Sequence, residues 1–288
     1  MRKGLVIYNP VSGGKKKNKI LKAIEKRIDN YKYKLNFAST KFPKHAIELA
    51  SNAKKEKYDF VIAVGGDGTI NEVVNGLMIS NLPLGIIPCG SGNGFARHCN
   101  IPMNINNAID LINNFKWVDV DVIKMNRNYA INSIGFGFDA LIAMKFSETK
   151  KRGLLNYFQL VMRNLPQFKK VKIKYHLKEE ISENDFFMFT ITNSTQFGNN
   201  IHIEPRASVQ DGVLNLVCVK PFRFKNILGL TYDLFLKKLY KNQHVMSQEI
   251  KTIEILSGPS LFHIDGEYHY PDYPIKISVL PGALKLLC

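Results

Sequence analysis

The chain has little that would staple it, anchor it or carry it through a bilayer. Its four cysteines, Cys89, Cys99, Cys218 and Cys288, are scattered and show no C-x-x-C spacing. Neither a zinc site nor a disulfide framework is predicted, and a reducing cytoplasm is the expected setting. No apolar run approaches the length of a membrane span. The run near the start, Gly4 to Tyr8, is too short for a signal peptide and passes straight into a polar loop. No repeat or low-complexity tract interrupts the sequence. Acidic residues are also short: 24 Asp and Glu against 40 Lys and Arg leave +16, a balance that attracts polyanions, whether nucleic acid or an anionic membrane face. The remainder is ordinary for a soluble globular protein, with 45% hydrophobic and 22% charged residues over 288 positions, enough for two modest domains.

What is present is concentrated in three loops. The run Val61 to Val64 ends in Gly65-Gly66-Asp67-Gly68-Thr69-Ile70-Asn71-Glu72, the pattern of a strand that delivers a glycine turn to the start of a helix. Glycine lets backbone N–H groups approach and converge on phosphate oxygens, and Asp67 would then hold Mg²⁺ or its water shell. The same residues also suit a tight strand–helix turn in which Asp67 or Thr69 caps the helix. Neither a Walker A sequence nor G-x-G-x-x-G is present. The strand-like Gly4 to Tyr8 leads into Asn9-Pro10-Val11-Ser12-Gly13-Gly14, followed by helical spacing from Asn18 to Ile28. The strand-like Leu84 to Cys89 leads into Gly90-Ser91-Gly92-Asn93-Gly94. Three Gly/Ser/Asn loops at successive strand ends predict the ligand-binding carboxyl edge of an open parallel sheet.

Strand–helix alternation persists to about Asp121, with a helix predicted over 44–57, a strand over 60–64 and a helix over 69–78. This predicts a doubly wound, mostly parallel α/β domain over residues 1–122. From about Ile123 the runs turn β-rich, as in 186–193, 212–219, 252–256 and 275–280, predicting a second, antiparallel, sandwich-like domain over 123–279. Two stretches combine basic and apolar residues. Residues 145–174 hold Lys145, Lys150, Lys151, Arg152, Arg163, Lys169, Lys170, Lys172 and Lys174 among a helical apolar stripe, and 220–241 mix Arg223, Lys225, Lys237 and Lys238 with Phe222, Leu228, Tyr232 and Phe235. Taken singly these lysines are a solvated face; together they suit an anionic membrane surface.

The Asn9-Pro10-Val11-Ser12-Gly13, Gly65-to-Glu72 and Gly90-to-Asn93 segments resemble the diacylglycerol kinase catalytic-domain family, which includes bacterial diacylglycerol kinases and sphingosine and ceramide kinases. Two later segments are similar as well, Glu204-Pro205-Arg206 through Asp211-Gly212-Val213 and His263-Ile264-Asp265-Gly266-Glu267. The resemblance implies an ATP- and Mg²⁺-dependent lipid kinase of two domains with a nucleotide cleft between them and a chain end, 280–288, that returns to the first. It places Asn9, Pro10, Ser12, Gly13, Thr40, Gly65, Gly66, Asp67, Gly68, Thr69, Asn71, Glu72, Gly90, Ser91, Gly92 and Asn93 at the nucleotide. Asp67 and Asp121 fall on the metal side. A structural Mg²⁺ is implied at Asp211 with carbonyls of Ser208 and Val213. Glu267 becomes the base that orients and deprotonates the acceptor alcohol, while Asp265 orients it or makes the turn.

One departure stands out. Many bacterial diacylglycerol kinases have Asn-Asp where this chain has Asn93-Gly94, a form closer to the sphingosine and ceramide kinase branch, so the lipid stays open. NAD kinases and phosphofructokinases also use a Gly-Gly-Asp-Gly turn, which keeps a soluble-metabolite kinase as the alternative, and a lipid-binding adaptor without activity is the other. No motif supports specific nucleic-acid binding. The expected setting is cytoplasmic, peripheral at the inner membrane face, with a homodimer left open.

Overall fold

In the computed structural model the described residues are 1–10, 17–149, 153–197 and 201–288. The expected residues Ser12, Gly13, Lys150, Lys151 and Arg152 lie outside them. The chain divides into two compact units, Met1–Asp121 with Gly282–Cys288, and Val122–Pro281.

Unit 1 is built by strand–helix alternation. It runs β1 (Arg2–Tyr8), α1 (Lys17–Arg27), β2 (Tyr33–Ser39), α2 (His45–Asn52), β3 (Phe60–Gly65), α3 (Asp67–Leu77), β4 (Leu84–Pro88), α4 (Gly94–His98), α5 (Ile105–Asn114) and the first part of β5 (Trp117–Met125). The strands β2, β1, β3 and β4 lie side by side in that order and are parallel. All six residues of β3, Phe-Val-Ile-Ala-Val-Gly, are buried, as a central parallel strand covered on both faces requires. Helix α3 buries Ile70, Val73, Val74 and Leu77, one face at helical spacing. Helix α5 starts at Asn104, whose side chain accepts the N–H groups of Asn106 and Asn107.

Unit 2 is an antiparallel sandwich. It contains β6 (Asn128–Ala130), β7 (Ser133–Gly137), α6 (Phe138–Glu148), α7 (Leu154–Asn164), β8 (Val171–Leu177), β9 (Glu180–Phe186), β10 (Met188–Thr192), β11 (Leu214–Val219), α8 (Ile227–Phe235), β12 (Val245–Ile250), β13 (Thr252–Ser257), β14 (Phe262–Ile264), β15 (Glu267–His269) and the first part of β16 (Ile275–Leu287). One sheet has the order β12-β11-β10-β7-β14-β15. The other pairs β16, β13, β8 and β9. Between them lies a core to which one sheet contributes Phe136, Phe189, Ile191, Leu216 and Phe262 and the other Ile173, Tyr175, Ile253, Ile255 and Ile277. The alternation is strict on β10: Phe189 and Ile191 face this core, while Met188 belongs to a second cluster with Leu230 of α8.

The structure refines three boundaries. Helix α2 stops at Asn52 rather than running to residue 57, and the chain turns through Lys57 in a left-handed conformation before β3. The basic stretch 145–174 is not helical throughout, because Val171, Ile173 and Tyr175 begin a strand with period-two burial. Strand β16 does not end near residue 280 but continues to Leu287, where Leu286 pairs with Leu84 of β4.

Candidate active site

In unit 1 Asn9, Pro10, Thr40, Gly65, Gly66 and Gly90 of the expected nucleotide residues lie at the carboxyl ends of the parallel strands. Asn9 and Pro10 follow β1, and the Thr40 N–H after β2 donates to the Tyr8 carbonyl at 2.9 Å. The loops after β3 and β4 meet backbone to backbone. A Cβ on Gly90 would lie 2.5 Å from the Gly66 Cα, and one on Gly66 would lie 3.0 Å from the Gly90 Cα. Only residues without side chains fit that approach. The Cys89 N–H donates to the Gly65 carbonyl at 2.9 Å, extending the pairing into the loops.

Asn93 closes the second loop. It is buried and left-handed (φ 50°), and its Oδ1 accepts the Gly90 N–H at 2.9 Å while its Nδ2 donates to the Gly90 carbonyl at 3.0 Å. Asp67, the first residue of α3, accepts the Phe95 N–H at 3.2 Å, and a Cβ on Gly92 would lie 3.3 Å from its other oxygen. Burial pushes the Asp67 carboxyl above its ordinary range, against amides of residues 93–95 that pull it down. The result is a glycine-lined edge where α3 begins, with one carboxylate between the two loops. Such an edge offers N–H groups and a helix dipole to phosphate oxygens. Mg²⁺ is held through one or two carboxylates plus phosphate and water oxygens, and Asp67 is the carboxylate this edge offers.

Alanine at Gly66 or Gly90 is expected to abolish nucleotide binding while costing about 1–3 kcal/mol of stability from forced backbone separation. Thermal melts with and without ATP would separate the two effects.

Other expected residues hold different positions. Glu72 spends its carboxylate on α2, accepting the N–H groups of Lys44 at 3.0 Å and Ala46 at 3.2 Å. In this position it satisfies amides at the start of α2. Asn71 is drawn along α3, where its Oδ1 accepts from Asn75 at 3.1 Å. Thr69 is buried behind Gly65, whose added Cβ would fall 2.4 Å from the Thr69 Cβ. Asp121, expected on the metal side, is 2% exposed and accepts the N–H of Gly282 at 2.8 Å. It fixes the point where β16 re-enters unit 1. Lys17, which no sequence motif marks, is buried at the start of α1, with Nζ 3.4 Å from both the Val64 carbonyl and the Cys89 Sγ. The adjoining run Lys15-Lys16-Lys17 was the signal available.

In unit 2 the segment 208–213 is a turn. The Asp211 Oδ1 accepts the Val213 N–H at 3.1 Å, Ser208 Oγ accepts that of Gln210 at 3.2 Å, and Gly212 has φ +72°. Among the described residues no group of three or more His, Cys, Asp or Glu is arranged to hold a metal. Upstream, Glu204 is fully buried and bound by Arg206 at 2.8 and 2.9 Å and by the Ser247 hydroxyl.

The turn that carries Glu267 is more tightly held. Ile264 pairs with Glu267, and the two residues between them, Asp265 (φ 49°) and Gly266 (φ 83°), are both left-handed, as in a type I′ hairpin. The Asp265 carboxylate does not face outward. It accepts three successive amides of the chain leading into β7, from Ile131 at 2.9 Å, Asn132 at 2.8 Å and Ser133 at 2.9 Å. Asp265 therefore makes and anchors the turn, and Glu267 stands exposed at the start of the edge strand β15.

Residues 3–125 match the diacylglycerol kinase catalytic domain, and residues 132–288 match the YegS C-terminal NAD kinase beta sandwich-like domain. A diacylglycerol kinase of Staphylococcus haemolyticus is 30% identical over 268 residues, 91% of this chain and 81% of its own. One from Bacillus subtilis is 28% identical over 276 residues, 93% of this chain and 90% of its own. A Bacillus anthracis diacylglycerol kinase crystal structure shares the fold, with a TM-score of 0.75 at 24% identity, covering 99% of this chain and 96% of its own.

Proposed function

Because the chain belongs to the diacylglycerol kinase catalytic-domain family and is a kinase that uses ATP, we propose that it transfers the γ-phosphate of ATP to a lipid hydroxyl at a membrane surface. The observation that carries this reading is the Asp265-anchored hairpin, which presents Glu267 on a fixed backbone while its neighbour's carboxylate is consumed in holding the turn. The glycine edge of unit 1 binds and orients the phosphates through its amides. Asp67 is the residue that would hold Mg²⁺, which when bound would neutralise charge on the phosphates. Glu267 accepts a hydrogen bond from the acceptor hydroxyl and takes its proton as the oxygen bonds to the γ-phosphorus. The bond from the γ-phosphorus to the bridging oxygen breaks, and ADP leaves with that oxygen.

The test is transfer of labelled γ-phosphate to diacylglycerol, sphingosine, ceramide, monoacylglycerol and a whole lipid extract in anionic micelles, with NAD as the soluble acceptor. Labelled lipid is expected. Label on NAD alone would turn the reading to a soluble-metabolite kinase, and no transfer despite lipid binding would turn it to an adaptor.

The membrane part of the reading rests on unit 2. Helix α7 exposes Leu155, Phe158 and Met162, and α8 with the residue after it exposes Leu228, Tyr232, Phe235 and Leu236. Exposed Arg163, Lys169, Arg223, Lys225, Lys237 and Lys238 flank them. Apolar side chains rimmed by cations suit insertion at an anionic interface. The described residues contain no helix long and apolar enough to cross a membrane. Co-sedimentation with phosphatidylglycerol vesicles is expected to fall steeply with salt. The pair Leu228→Ser and Phe235→Ser should weaken it by roughly tenfold or more, the area of two large side chains.

A further inference from the structure

One buried polar cluster in unit 2 has no part in the chemistry described so far, and it touches the turn that carries Glu267. On the face of the six-stranded sheet away from the sandwich core, register sets His263, Gly135 and Thr190 in a row across β14, β7 and β10. His263 is 3% exposed, Thr190 0%. Gly135 has no side chain, and the gap is filled by the carboxylate of Asp139, from the first turn of α6. A Cβ on Gly135 would fall 1.9 Å from the Asp139 Oδ2 and 2.4 Å from the His263 Nε2, so the cluster requires glycine there.

The hydrogen bonds have a direction. Asp139 Oδ2 accepts the Thr190 hydroxyl at 2.5 Å and lies 3.3 Å from the His263 Nε2, and Asp139 Oδ1 accepts the Ala140 N–H at 2.8 Å. On its other side the His263 ring accepts the Gly266 N–H at Nδ1, 3.3 Å away. A ring nitrogen that accepts carries no proton, so Nε2 carries it and donates to Asp139. Gly266 is the second of the two central residues of the hairpin, immediately before Glu267.

We propose that His263, held in one tautomer by Asp139 and Thr190, is a positioning residue that locks the Gly266 amide and so fixes the backbone from which Glu267 reaches the acceptor hydroxyl. The Asp265 carboxylate ties the turn to the β7 entry from one side, and His263 ties it to α6 and β10 from the other. With both ties Glu267 keeps one trajectory; with one, the hairpin can rock. This inference rests on the lipid-kinase reading for its kinetic consequence but not for its structural one.

Long-range proton–nitrogen NMR of the wild-type imidazole reads the tautomer directly. A neutral ring protonated on Nε2 is expected, and a proton on Nδ1 overturns the proposal. Amide exchange at Gly266 is expected to accelerate at least tenfold in His263→Phe, which keeps ring volume but cannot accept. His263→Asn, which retains an acceptor, should restore part of the protection. In lipid phosphorylation, His263→Phe is expected to lower kcat about ten- to a hundredfold with the KM for ATP unchanged, the scale of a small misplacement of a catalytic group. Unchanged exchange, or unchanged kcat in a folded His263→Phe protein, overturns the assignment. A wild-type protein that labels no lipid would sink the kinase reading instead, while the tautomer and the Gly266 amide still decide the positioning role.

Discussion

Glu267→Gln is expected to lower kcat for lipid phosphorylation by about 10²- to 10⁴-fold, the contribution of a general base, with thermal stability and ATP affinity unchanged. The reason lies in where the hairpin's tethers end. Asp265 is held by three amides and the Gly266 N–H by His263, and these ties run through residues other than Glu267. Removing that charge removes a reacting group and leaves the scaffold. Asp265→Asn should behave in the opposite way. An amide can accept at one oxygen only, so at least one of the three N–H groups loses its partner, and both melting temperature and kcat should fall. Single-turnover transfer with the two variants side by side, each with its melt, checks the division of labour. An active Glu267→Gln enzyme would remove Glu267 from the chemistry.

The contrast between these neighbours also shows where sequence reasoning stops. The edge of unit 1 is legible because strand, glycine turn and helix start are consecutive: the run 60–64 gives β3, and the residues that face the ligand follow it in the chain. The same locality makes the Asp265-Gly266 hairpin readable. What was not readable depends on register. Asp139 and His263 lie 124 residues apart, Thr190 and Asp139 51 apart, and only the pairing of β14, β7 and β10 brings them into one row. Glu72 illustrates the same point from the other side. In sequence it continues the glycine motif, but five residues past Asp67 on α3 it points at α2, where two amides at the helix start take it. The strand β8 is masked for a different reason: Lys172 and Lys174 alternate with Val171, Ile173 and Tyr175 as a half-buried strand requires, but they also extend the basic and apolar stretch that precedes them. A membrane-facing composition and a half-buried strand look alike over seven residues.

Arg206→Met is expected to cost about 3 kcal/mol, the low end for breaking a buried ion pair because the guanidinium half of the pair meets water. Glu204 has no exposed surface, and burial alone would raise its carboxyl. The hydrogen bonds from Arg206 and Ser247 outweigh that and hold it below the usual glutamate range. The sign of the pH dependence follows. In the wild type a depressed carboxyl contributes stability that is present above the unfolded glutamate pKa and is lost as pH falls through the lower folded value. With Arg206 gone, burial is the larger influence and the carboxyl rises. The folded variant then prefers the protonated acid, and its deficit grows as pH rises through the raised value. Urea unfolding at pH 8 and pH 5 should therefore show a large gap between variant and wild type at pH 8 and a smaller one at pH 5. Glu204→Gln added to Arg206→Met should recover stability at pH 8, since a neutral amide has no charge to strand. Arg206 also lies over the Tyr240 ring at 4.4 Å, and methionine retains some of that apolar contact, so the residual loss reports mainly on the carboxylate. A gap that is the same at both pH values would assign the Arg206 contribution to packing instead.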